Sequence, residues 1–224
     1  MDPARKNWNS RQRELRTSLT NHRIYHQAID LFLQQHAEVH SGIMSSVGSL
    51  SFEDEAIDGL ADYQLRRIPD RMDHSIVWIL WHLARIEDVT MNMLVAGKKQ
   101  VFDTGNWSGR LKVSCIHTGN AMSEGEIIEL SDEMNIDQLR KYRASVGRET
   151  EKVVKQLDSA AIVQKVSSSR LDLVLQERAV VEDAKGIIDY WRKRTIAGLL
   201  LMPPTRHCFI HLNEALKIKK KVMK

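Results

Sequence analysis

The stretch HSIVWILWHLARIEDVTMNMLVAG, residues 74–97, decides how the chain folds. Within it Trp78, Ile79, His82, Ile86, Val89 and Met93 recur at spacings of three and four, the period that lines one face of an α-helix. Asp73 stands where a helix cap would, and Gly97 followed by Lys98 and Lys99 closes the segment as helices commonly close. The spacing therefore predicts a helix over residues 74–96. His82 sits in the middle of its apolar stripe, and a polar side chain there needs a partner.

Working outward, the same period recurs on both sides. Tyr25, Ile29, Phe32, His36, His40 and Ile43 predict a helix over residues 22–45, with two histidines on its buried face. A third helix is expected from Asn135, with Gln138 three residues on, and carries Leu139, Tyr142, Val146, Val153 and Leu157. After Ser167-Ser168-Ser169 a shorter helical piece at 171–176 precedes a long pattern over residues 184–201. Pro203 and Pro204 lack backbone donors and should interrupt the helix, which restarts near Thr205 and runs into the lysine-rich end. The connection over residues 99–133 has turn signals at 103–106 and 118–120, and Ser123 with Glu126 has capping-box spacing for a short helix. No alternating strand pattern competes. The expectation is an all-α antiparallel four-helix bundle with extra short helices in its connections, residues 1–20 forming an N-terminal extension and 21–224 one domain.

Composition narrows the function. With 42% hydrophobic and 28% charged residues, the 224-residue chain can bury a sizeable core. Its two cysteines, Cys115 and Cys208, have neither zinc-knuckle nor redox spacing. The polar start MDPARKNWNSRQREL cannot act as a secretory signal, and the apolar runs fall far short of the roughly 20 residues a bilayer requires. A cytoplasmic protein is expected. The net charge of +4 owes much to arginines and lysines at the two ends, which suit solvated helix termini; no nucleic-acid module accompanies them, and neither nucleic acid nor membrane is expected as a partner.

Chemistry concentrates in Arg206-His207-Cys208-Phe209-Ile210-His211-Leu212-Asn213-Glu214. On a helix, His207 and His211 stand one turn apart on the same side, so their rings can converge on one ion, and Glu214 continues that face. A start of the helix just before His207 would disfavour imidazolium there, leaving the neutral ring a metal needs. His82 is the best candidate for a third ligand, with the fourth position open. Spacing alone leaves alternatives, because His22/His26 and His36/His40 share the same separation. His36 and His40 could orient a ligand or meet substrate. Glu87 and Asp88 fall on a neighbouring face, solvated or paired with basic residues. Arg85, one turn beyond His82, could meet an anionic substrate. Cys208 points about 100° away from His207 and is not a nucleophile.

The residues Trp81-His82-Leu83-Ala84-Arg85-Ile86-Glu87-Asp88 and His207 to His211 resemble the DinB-like superfamily of four-helix-bundle metalloproteins, with a histidine in the second helix and His-x-x-x-His in the last. The resemblance runs over roughly residues 21–220, including Thr195 to Leu200; the chain departs from compact relatives in its longer 101–133 segment and in Pro203-Pro204. It implies that His82, His207 and His211 are the metal ligands. It also implies a divalent ion, zinc before nickel or iron, and an enzyme that activates a low-molecular-weight thiol such as bacillithiol, mycothiol or glutathione for transfer to a small electrophile. The alternatives are a hydrolase using metal-bound water, with Glu214 or Glu87 as base, and a non-catalytic metal-binding bundle. A homodimer through bundle faces is also compatible.

Overall fold

The computed structural model describes residues 2–44 and 51–224. In chain order, α1 (Pro3–Ser18) leads through a 3-10 turn at His22–Ile24 into α2 (Tyr25–Glu38). Two short helices, α3 (Phe52–Ile57) and α4 (Asp62–Arg66), precede α5 (Ile76–Asp88), which continues as a π-helix over Val89–Ala96. The connection then holds α6 (Val101–Thr104), α7 (Trp107–Leu111) and α8 (Glu124–Glu133) before the long α9 (Ile136–Gln156). Next come α10 (Ser168–Gln176), α11 (Gly186–Arg192) and α12 (Ile196–Leu200), a second π-helix at Met202–His207, and α13 (Cys208–Val222). No strand occurs among the described residues; the only extended pairing there is an isolated bridge between Lys165 and Thr195. The protein is an all-α helical bundle. Among the described residues no helix is long and apolar enough to cross a membrane.

Helix α5 is the axis. It packs against α9 and α13, while α2 lies against α9 and the second π-helix. Every residue from Ile76 to Asp88 is buried, so α5 has no solvated face. That corrects the expectation for Glu87 and Asp88. The one-sided stripe misled because the 99–133 connection covers the other side, and Asp88 holds it there by accepting from the Val101 and Phe102 backbone amides at 2.8 Å each.

Several local expectations hold. Asn135 caps α9 by accepting from the Gln138 amide, Ser123 and Glu126 form the capping box of α8, and Gly97 ends the first π-helix with φ of 65°. Others need revision. The cap of α5 is Ser75 rather than Asp73. The helix expected over residues 22–45 is α2 and ends at Glu38; Ile43 is 56% exposed, and the predicted end at Ser45 lies outside the described residues. The 184–201 pattern is split, with α11 and α12 separated at Lys193–Thr195.

The double proline does not break the last helix. It widens it. Proline removes the donors that would close ordinary turns, and side chains take up carbonyls left over. The Thr205 hydroxyl donates to the Leu200 carbonyl, the Gln12 amide to that of Leu201, and the Cys208 thiol to that of Pro203. The chain thus stays helical from Met202 through Val222 and carries His207 directly into α13. Residues 1–20 supply α1, whose fully buried Trp8 stacks on Phe209 of α13 with ring centres 4.0 Å apart.

Candidate metal centre

His82 is brought by α5, His207 by the end of the second π-helix and His211 by α13. The three rings meet, and one ligand nitrogen from each lies within 4.8 Å of the others. Imidazoles sharing one ion at about 2.1 Å per nitrogen would set their ring centres about 5 Å apart. The observed separations are 5.1 Å for His82 and His207, 5.4 Å for His82 and His211, and 4.7 Å for His207 and His211.

Hydrogen bonds settle which nitrogens are available. A carbonyl only accepts, so the 2.6 Å contact between His82 Nδ1 and the Thr118 oxygen places the ring proton on Nδ1 and leaves the Nε2 lone pair bare. Glu214 does the same for His211, accepting from its Nδ1 at 2.8 Å. Its other oxygen accepts from His74 Nδ1 at 2.9 Å. An acceptor behind each ligating ring is the arrangement that fixes tautomer and orientation in metal sites. His207 Nδ1 is buried with no hydrogen-bond partner among the described residues, so this ring has unsatisfied polar capacity beside the other two. The donor set fits a divalent transition metal.

Electrostatics prepares the rings. Burial pushes His82 down to about 3, against the opposing Thr118 carbonyl, and desolvation together with His82 and His211 holds His207 well below its ordinary value. Both are therefore neutral at physiological pH, the form a metal requires. The cause at His207 is burial, not the helix start expected from the prolines. Burial acts to raise Glu214, but the hydrogen bonds from His211 and His74 outweigh it and hold its carboxyl down at about 2.

An aromatic ladder steadies His82. His74 stacks on Trp78 at 3.9 Å, and Trp78 stacks on His82 at 4.7 Å, with ring planes within 8° and 7°. The only mark of His74 in the sequence is its spacing of four to Trp78 and again from Trp78 to His82. Thr118 was visible only as part of a turn. Gly119 beside it has φ of 82°, and a Cβ there would meet the Trp81 ring at 2.6 Å, so the turn that aims the carbonyl needs glycine.

Other candidates lie elsewhere. Arg85 is fully buried, bonding the Tyr142 hydroxyl, the Gln100 side chain and the Ile116 carbonyl, and does not join the three histidines. His36 and His40 both bond Glu87 inside the bundle. Cys208 is buried and burial raises its thiol to about 12, so it stays protonated.

A family model described as the DinB superfamily matches residues 54–181, more than half of the chain. The matched span contains His82 and ends before His207 and His211. No curated protein matches the sequence.

Proposed function

Because the chain belongs to the DinB superfamily, we propose that it is a divalent-metal-dependent transferase, with His82, His207 and His211 as ligands and a low-molecular-weight thiol as the group transferred to a small electrophile. The observation that carries this reading is the convergence of three imidazoles, two of them with Nδ1 already committed to an acceptor. A divalent ion, zinc by preference, would favour the ionised form of a thiol near neutral pH, so that no protein base is needed.

The protein's own groups have distinct tasks. Thr118 and Glu214 fix the rings of His82 and His211, and the stack of His74 on Trp78 supports His82 from behind. His211 and His74 keep 20% and 22% of their side-chain surfaces exposed, giving a small molecule an approach. Metal-dependent hydrolysis is less well served. Glu87 is fully buried and tied to two histidines, while Glu214 is spent on two ring protons and held at about 2, too acidic for an efficient base at neutral pH.

The test is thiol-dependent turnover by zinc-loaded protein against a panel of electrophiles, with bacillithiol, mycothiol and glutathione as donors. Conjugation that needs both metal and thiol and is lost in His82→Ala is expected. Absence of turnover together with absence of thiol binding by calorimetry would overturn the transferase reading.

A further inference from the structure

A second set of metal-type donors lies deeper in the bundle. Glu87 of α5 is completely buried, and its two oxygens face two imidazoles from α2 and the turn after it: His36 Nε2 stands 2.7 Å from Oε1 and His40 Nε2 stands 2.9 Å from Oε2. The two rings are tilted against each other with centres 4.4 Å apart. Thr150 of α9 donates to Oε1 at 2.7 Å, and the Cys208 sulfur lies 4.0 Å from Oε2. The three potential ligand atoms fall within 4.8 Å of one another, as in the triad, but all three residues are buried.

Charge makes this cluster informative. Glu87 is wholly buried, with both oxygens turned to the imidazoles. Its only ion-pair partners among the described residues are those two histidines. Arg143 bonds Glu53 and the Val39 carbonyl and reaches Glu87 only through its field, without a hydrogen bond to it among the described residues. Imidazoles and a hydroxyl can hydrogen-bond a carboxylate, but a carboxylate wholly removed from water is held best by a full positive charge, which a divalent ion supplies. Two histidines and one carboxylate form a familiar transition-metal donor set; tetrahedral ligands about 2.1 Å from an ion stand about 3.4 Å apart, so the 2.7 and 2.9 Å contacts would open by about half an ångström to admit one.

We propose that His36, His40 and Glu87 bind a second divalent transition-metal ion, separate from the triad, as a closed structural site that ties α2 to α5. Each ring would present Nε2 to the ion, so the ion takes the place of two hydrogen bonds and supplies positive charge beside the carboxylate. The proposal does not depend on the transferase reading.

Zinc serves as the probe, on the full chain expressed with zinc supplementation and purified without chelator or affinity nickel. Two zinc ions per chain are expected in the wild type, and one in a His82→Ala/His211→Ala variant, which leaves the inner cluster untouched. X-ray absorption of that remaining zinc should show two imidazoles and oxygen. One ion in both proteins, with that same signature, would uphold the inner site while removing the metal from the triad. No ion in the variant, or a remaining ion with three imidazoles or with sulfur, overturns the proposal.

Discussion

Glu214 shows how a single carboxylate serves the site. One oxygen fixes His211, the other holds His74, and the latter reaches His82 through Trp78. Glu214→Gln keeps the size but offers one accepting oxygen in place of two, so one imidazole loses its partner. Removing such a supporting group typically costs about 10–100-fold in metal affinity. Competition with a chelating dye should show a loss of that size for Glu214→Gln, and unchanged affinity would mean that His211 needs no orientation. The three histidines that the structure brings together were legible in the sequence because a histidine in the centre of an apolar stripe and a pair at helical spacing are local patterns. Glu87 was not. Its burial comes from chain segments far away in sequence, and no periodicity along α5 reports what covers the opposite face.

At the scale of elements, each π-helix leaves backbone carbonyls that donors from other segments take up. The first ends at Gly97 in a left-handed turn, and Arg170 of α10 donates to the Leu94 and Val95 carbonyls left open there, at 2.9 and 2.7 Å. A Cβ at position 97 would lie 2.7 Å from that guanidinium, on a backbone with φ of 65°. Gly97→Ala should therefore destabilise the fold by about 1–2 kcal/mol through the left-handed strain, plus whatever the displaced Arg170 loses. Urea unfolding measures it; a stability within about 0.3 kcal/mol of wild type would contradict this account of the terminus. Gly97 was readable from sequence as a stop, as were the Asn135 and Ser123 caps, because each acts within three or four residues. The Pro203-Pro204 segment was not readable, since whether prolines break or widen a helix depends on which groups donate to the orphaned carbonyls, and here one donor is Gln12 from the other end of the chain.

For the whole molecule, the N-terminal helix and the last helix act as one unit. Trp8 is fully buried in a parallel stack on Phe209, one residue from Cys208 and two from His207. Trp8→Ala should cost roughly 3–5 kcal/mol of unfolding free energy, as for other buried aromatic truncations, and a cost below about 1 kcal/mol would show that α1 only lies on the surface. That dependence was invisible beforehand because the charged start of the chain reads as a solvated extension. Stability should also fall with acid. In metal-free protein, burial pushes both His40 and His82 from 6.5 down to about 3, outweighing the Glu87 charge at His40 and the Thr118 carbonyl at His82. The unfolded chain then takes up protons first, so the stability these neutral rings provide is complete above about pH 6.5 and is lost as pH falls towards about 3. Urea midpoints measured from pH 8 to pH 4 should decline below neutrality, and a flat profile would count against buried neutral histidines. The most direct measurement concerns the triad itself: anomalous diffraction at the zinc edge from crystals of zinc-loaded protein. A peak bonded to Nε2 of His82 and of His211 and to the ring of His207 is the expected result. A zinc-loaded crystal with no density between those three rings would contradict it.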